Sequence, residues 1–459
     1  MIFREHYKSK YTEIGSWKTG SLTIDIILAL TLATIFIAVT ASLSTGSQEI
    51  FEQAQARDEA LKLYEAGDYT SSTKLYGNDM FQTDIEVASS TLRFVSVSAR
   101  QANSQNVFQL SDASYAIGTP LCSVDFSAST PIIKLINLPI DPLLPLTDIE
   151  VRNGVFYIGA DSSTASDPDF LIIDAKDQDN PSIISQINTG PGISSIALAG
   201  KRIFASAPST ASELHVIRMD SLQNLVLEKK YRLPLPYATA TPALGSAIFF
   251  NDNKVYLGTE KWDGDEFNII DVIDPANPVW LSGMETNSKV NDIFVRDGIA
   301  YIAASDEKQL RVVDVHDPAN PVLLNSLSPS GWQRQEGKNI SLFEDGLKFG
   351  RTSGGFNLTS DHELFSWPTN SSTTLASPTS TDIRGGVYGI VADRSRSFII
   401  TREVDRELQI FDIPRSDLGI PRSDLEAYSL PILPKTITCD RNHLYILAAN
   451  APVVYEITY

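Results

Sequence analysis

Apolar and polar positions fall into two regimes along the chain. Between Ile26 and Gln48 no charged side chain interrupts a run rich in Ile, Leu, Ala, Val and Thr. Such a run is long enough to cross roughly 30 Å of hydrocarbon as a helix. The stretch that follows, QEIFEQAQARDEALKLYEAG, is built of strong helix formers and closes at Gly67, so the spacing predicts a helix over 21–66. From residue 130 onward the pattern is alternation in short stretches, as in VNDIFVRD, GIAYIAAS, QLRVVDVH and PVLLNSLS between 290 and 328. Alternation with many β-branched residues predicts strands, four to a unit. Between these parts, residues 67–129 form a polar connector with some β structure, STLRFVSVSAR being its clearest strand.

The units repeat. FNIIDVIDPANPVWLSGM from Phe267 and LRVVDVHDPANPVLLNSL from Leu310 are close copies, and FLIIDAKDQDNPSIISQI from Phe170 is a weaker one. One marker runs through Asp174, Arg218, Asp271, Asp314, Ser366, Asp412 and Glu456. A second runs through the aromatics Tyr157, Phe204, Tyr256, Tyr301, Phe349, Phe398 and Tyr445 in the preceding strand. Both recur at roughly 40–50 residues, the period of four-stranded propeller blades. The repeated Asp residues read as structural acceptors of turn hydrogen bonds because they recur from blade to blade, and the Asp-Pro-Ala-Asn-Pro segment between third and fourth strands favours a type I turn. The last unit stops after its third strand, and TPIIKLINLPI (130–140) resembles the missing outer strand. It is expected to complete that blade and remove an open edge. The fold class expected is therefore all-β: a seven-bladed β-propeller over 130–459 with an N-terminal strand closing the last blade, preceded by a long transmembrane α-helix.

The third-strand motifs LIIDA (171–175), NIIDV (268–272), RVVDV (311–315) and QIFDI (409–413) resemble the LVIVD-repeat propellers. That resemblance implies a surface or secreted protein and says little about activity.

Residues 1–20 form a basic leader carrying Arg4, Lys8, Lys10 and Lys18. Acids follow the apolar run at Glu49, Glu52, Asp58 and Glu59, so the N-terminus is expected inside and the rest outside. Asp25 stands within the apolar stretch, where a carboxylate is costly and marks a function. Gly20-Ser21-Leu22-Thr23-Ile24-Asp25 resembles the processing site of type IV prepilins. The resemblance implies cleavage after Gly20 by a prepilin peptidase, Ser21 as the new first residue, Asp25 as the fifth, and other pilins as partners. Ser21 and Asp25 depart from the Phe and Glu usual there. The alternative is an uncleaved signal anchor.

The formal net charge of −19 (37 Lys and Arg against 56 Asp and Glu) excludes a nucleic-acid partner, which needs clustered cations. Of two cysteines, Cys122 and Cys439, one disulfide can form, and a cysteine framework cannot. The five histidines make no metal-binding pair, and no nucleophile elbow or phosphate loop occurs. The loops joining second to third strands carry more than half of the excess negative charge. They read as an acidic rim or as a docking face for a cation, with Asp263, Asp265 and Glu266 as Ca²⁺ candidates that fall short of a complete ligand loop. No other cofactor and no catalytic set is expected. The sequence therefore describes a membrane-anchored, surface-displayed binder of an extracellular protein or carbohydrate. The alternatives are an anchored receptor that never enters a filament, or an exported lyase or hydrolase.

Overall fold

The computed structural model describes residues 131–458, except 163–165, 221–222, 239, 330–334, 344–345, 353–361, 369–372, 377, 384, 393–395, 413–425 and 441–442, and four strands between 72 and 110. The leader, Gly20, Ser21, Asp25 and the helix expected over 21–66 lie outside the described residues. The chain divides into two units, Met1–Tyr115 and Ala116–Tyr459.

In the first unit Ser72–Tyr76, Asp79–Ala88, Thr91–Arg100 and Val107–Leu110 form one antiparallel sheet in chain order. Its longest pairing joins Met80–Ala88 to Thr91–Arg100, so the strand expected around Phe94 is the third of four.

The second unit is a seven-bladed β-propeller: seven four-stranded antiparallel sheets, six of them in simple chain order. The seventh combines Pro434–Asp440, His443–Ala448 and Val453–Thr458 with Ile132–Asn137, which pairs from Thr458↔Ile132 to Val453↔Asn137. The expected closure by the N-terminal strand is therefore the observed one. The first strands, Leu146–Arg152, Ser195–Ala199, Gly245–Asn251, Val290–Arg296, Gly337–Phe343, Gly389–Ala392 and Pro434–Asp440, each touch the next, and the last touches the first. They form the wall of the central channel.

One position of this wall is invariant within the ring. Ile149, Ile196, Ile248, Ile293, Ile340, Ile390 and Ile437 stand at the same register and all are buried. A stiff β-branched side chain suits this close-packed site, and each contributes about 1.5–3 kcal/mol by leaving water. The first hairpins of blades one and four turn through Asn153-Gly154 (φ 52° and 71°) and Asp297-Gly298 (φ 49° and 71°). Two successive left-handed residues are the two-residue turn that matches the twist of paired strands.

The register corrects three repeat markers. Asp174, Asp271 and Asp314 are equivalent, and each takes the N–H two residues on, from Lys176 (3.0 Å), Ile273 (2.8 Å) and His316 (2.9 Å). In blade five their counterpart is Pro368 rather than Ser366, and in blade seven Thr458 rather than Glu456. An offset of two keeps a strand residue on the same face, so alternation alone could not detect it. Phe349 is off by one: it pairs with Ile340 of the isoleucine ring, whereas Tyr157, Phe204 and Tyr301 pair one position further along.

Candidate functional site

The loops between second and third strands end in an acid immediately before strand three, at Asp169, Glu213, Glu266, Glu363 and Glu407. All five are buried. Each carboxylate accepts the backbone N–H of a residue just past the outer strand: Thr189 (2.7 Å), Leu233 (2.7 Å), Thr286 (2.7 Å), Ile383 (2.9 Å) and Leu430 (3.0 Å). The outer strand has ended at these N–H groups, so without the carboxylate they would be buried donors lacking a ladder partner. Blade four has Gln309 instead, opposite Pro329, which has no N–H to give. The Gln309 amide donates to the carbonyl of Gln335. Blade seven has Val453, and the Leu138 N–H goes to the Pro452 carbonyl (2.8 Å).

These acids therefore belong to the scaffold and not to a solvated rim. Burial pushes Glu213 up, and Glu363 up to about 7, against the pull of the N–H each accepts. Among the other loop acids, Glu260 pairs with Lys289 (2.5 Å) and Asp306 with Arg311 (2.5 Å). The Ca²⁺ candidates do not converge. Asp263 accepts the Thr241 N–H (2.6 Å), Glu266 caps Thr286 and pairs with Lys261 (3.0 Å), and Asp265 packs against Gly283. Among the described residues no group of three or more His, Cys, Asp or Glu side chains is placed to hold a metal ion.

His215 is buried in a chain of hydroxyls: Ser212 Oγ lies 2.9 Å from Nε2 and Thr189 Oγ1 2.9 Å from Nδ1, and Thr189 Oγ1 donates to Asp169 (2.8 Å). Burial lowers the imidazole to about 4, which keeps it neutral near pH 7. Ser212 is itself only 3% exposed, so the arrangement ties blade one to blade two and offers no open nucleophile.

The open chemistry lies at the channel wall. In five blades the register slips by one near the start of the first strand. The extra residues are Thr147, Ser246, Asn291, Lys338 and Lys435, with Ser194 and Tyr388 just ahead of the strands of blades two and six. A bulged residue is released from the ladder and its side chain is re-aimed. Thr147 donates to the Ile193 carbonyl (2.7 Å), Ser246 to that of Val290 (2.6 Å), and Asn291 to that of Gly337 (2.7 Å). Each of these bonds stitches one blade to the next.

Next to the bulges stand Asp148 and Asp292, equivalent residues of blades one and four. Each accepts the N–H of the ring isoleucine of the following blade, Ile196 (2.9 Å) or Ile340 (2.8 Å), and the N–H of the residue after itself. Burial raises Asp148, and raises Asp292 to about 7. Glu150, further along the same strand as Asp148, is pushed by burial and then by the Asp148 charge up to about 8. No sequence pattern marks this wall, because its positions hold Thr, Ser, Asn, Lys and Tyr without a repeat.

Cys439, buried on the first strand of blade seven, is disulfide-bonded. Cys122, the only other cysteine of the chain, lies outside the described residues.

Comparison with known proteins bears on the fold alone. No family model matches the chain. No curated protein matches it in sequence either. Among solved structures it is similar to virginiamycin B lyase from Staphylococcus aureus, with a TM-score of 0.52 at 12% identity, covering 72% of this chain and 100% of that one. It is also similar to the periplasmic gluconolactonase PpgL of Pseudomonas aeruginosa, with a TM-score of 0.50 at 10% identity, covering 78% and 96%. At such identities the shared feature is the propeller and no site residue is carried across.

Proposed function

We propose that the chain is an exported, membrane-anchored protein of pilin-like or pseudopilin-like build whose propeller binds an extracellular protein or carbohydrate. The observation that carries this reading is the order of its parts: a basic leader ending in Gly20, an apolar run with Asp25 fifth after it, and LVIVD-type repeats beyond. Cleavage after Gly20 would free the amine of Ser21 beside the Asp25 carboxylate at a helix N-terminus, where the dipole also favours negative charge. The disulfide at Cys439 supports an oxidising compartment. The binding face on this reading is the end of the ring where first strands begin, because loops held by a rigid scaffold are where ligands are met.

Mass spectrometry of the mature N-terminus tests it. A chain starting at Ser21, with processing lost in Gly20→Ala, is the expected result. A chain that still carries its leader in membranes with an active prepilin peptidase leaves an uncleaved anchor and removes the pilin-like part.

A second reading, an exported lyase or hydrolase, is favoured by Asp292, a carboxyl held near 7 and so able to take or give a proton at neutral pH. It expects Asp292→Asn to keep ligand binding and abolish turnover.

A further inference from the structure

The ring of bulge positions is lopsided. Blades one, three and four spend theirs on a carbonyl of the next blade, as described above, whereas blades five, six and seven present Lys338, Tyr388 and Lys435. Among the described residues neither lysine has an ion-pair partner within 4.0 Å. The Arg402 guanidinium lies over the Tyr388 ring, 4.0 Å from its centroid. We propose that the channel mouth between blades five and seven binds a small oxoanion-bearing ligand, a carboxylate, sulfate or phosphate, on Lys338, Arg402 and Lys435.

Three observations carry this. First, the cations are gathered and not scattered: Lys338 and Lys435 hold the same bulge position in blades five and seven, on either side of Tyr388 and its stacked Arg402, and Lys289, Glu336, Lys435 and Arg402 are among the charges felt at Lys338. Cations held together in a chain of net charge −19 are an electrostatic cost that a bound anion would relieve. Among the described residues Lys289 alone of the four cations has an ion-pair partner, Glu260.

Second, the neighbouring carboxylates are occupied. Asp148 is sensitive to Lys435 and Asp292 to Lys338. Both spend their oxygens on backbone N–H groups, and burial keeps Asp292 partly protonated near neutral pH. They do not neutralise the lysines as a close ion pair would.

Third, Arg402 is pre-organised. Stacking on Tyr388 holds the guanidinium plane, and a planar fork takes an oxoanion with two parallel bonds. Lys338 is half-buried, and burial together with the nearby cations lowers its pKa, so its ammonium gains most from an arriving negative charge.

The proposal rests on the reading of this end of the ring as the binding face, and its test is independent of export. The full chain, purified in detergent, is titrated by calorimetry with sodium glucuronate, sodium sulfate and sodium phosphate at constant ionic strength. Saturable binding of at least one probe is expected, and the probe bound most tightly names the oxoanion. The pair Lys338→Gln with Lys435→Gln is expected to weaken it by roughly tenfold or more, as is Arg402→Gln, with the melting temperature unchanged. Lys176→Gln, an exposed lysine in the hairpin after strand three of blade one, is the control and is expected to bind as wild type. Absence of saturable binding for all three probes overturns the proposal, as does equal binding by wild type and the double variant. Either failure leaves a Ser21 start untouched, so it is distinguishable from failure of the display reading.

Discussion

Gln309 and Pro329 fill the two positions that in five other blades are held by a buried carboxylate and the N–H it accepts. Where the donor is missing, the acceptor is missing too, and an amide that can donate replaces it. In five blades the repeat is thus governed by the satisfaction of one buried N–H. Gln309→Glu alone places a carboxylate against a residue without an N–H and is expected to destabilise by about 1–3 kcal/mol. Adding Pro329→Ala restores a donor and is expected to recover most of that loss. A double-mutant cycle by chemical denaturation reads the coupling, and additive effects would refute the pairing.

Asp292 gives the ring a pH dependence with a definite sign. Its folded value of about 7 lies above the ordinary 3.8 because burial disfavours the charge. The stability it contributes is therefore complete below about pH 4 and is lost as pH rises through about 7. Asn in its place has no charge to bury, but its single carbonyl oxygen can accept only one of the Ile293 and Ile340 N–H groups, which Asp292 takes on separate oxygens. Asp292→Asn is therefore expected to be less stable than wild type near pH 4 and to gain on it as pH rises to 8, by on the order of 1–2 kcal/mol. Melting curves across that range decide it, and a difference between the two proteins that does not change with pH would overturn the assignment.

His215 works in the opposite direction. Its folded value near 4 lies below the ordinary 6.5, so its contribution is complete above about pH 6.5 and is lost as pH falls through 4. His215→Gln is expected to cost stability at pH 7 through the bonds to Thr189 and Ser212, and to lose less than wild type does between pH 6.5 and 4. Parallel slopes for the two proteins would show that the imidazole stays uncharged or is compensated elsewhere.

Closure depends on Ile136. It is fully buried on the strand supplied from the N-terminal side and pairs with Val454. Ile136→Ala is expected to cost about 2–5 kcal/mol, and because that strand joins both ends of the ring, unfolding should remain a single transition for the whole propeller. Hydrogen exchange that opens blade seven alone would show instead that the ring stands without its closure.

Seven blades and their closure were legible because Asp174, Asp271 and Asp314 sit in near-identical strings and each side chain answers a local turn. Ser366 and Glu456 were misplaced by two residues since a strand's faces repeat every second position and an offset of two changes no pattern. Phe349 is off by one because the matching position of blade five holds Lys348 and the aromatic stands one residue later. The acids at Asp169, Glu213, Glu266, Glu363 and Glu407 were visible in the sequence, always one residue before an apolar strand. They read as surface charge because their partner N–H lies 20 to 23 residues away, past the outer strand. The cations at the channel mouth could not be read at all. Lys338, Arg402 and Lys435 come from three consecutive blades, and only the packing of those blades side by side around the channel brings them together.

A disulfide between Cys122 and Cys439 is the expected link between the fold and an oxidising compartment. Their pairing is expected to add about 3–5 kcal/mol, since it closes a very long loop, and reduction should lower the melting temperature of wild type while leaving Cys439→Ser unaffected. A Cys122–Cys439 peptide pair in a non-reducing digest is the expected species; two free thiols in protein taken directly from membranes would contradict it.

Display outside the membrane is the central claim of the proposed function, and protease treatment of intact cells producing the full chain tests it most directly. The account predicts that peptides of 130–459 are released from unbroken cells while the apolar segment around 26–48 stays with the membrane. A propeller that resists protease until the cells are broken, or a full chain recovered in the soluble cytoplasmic fraction, would contradict it.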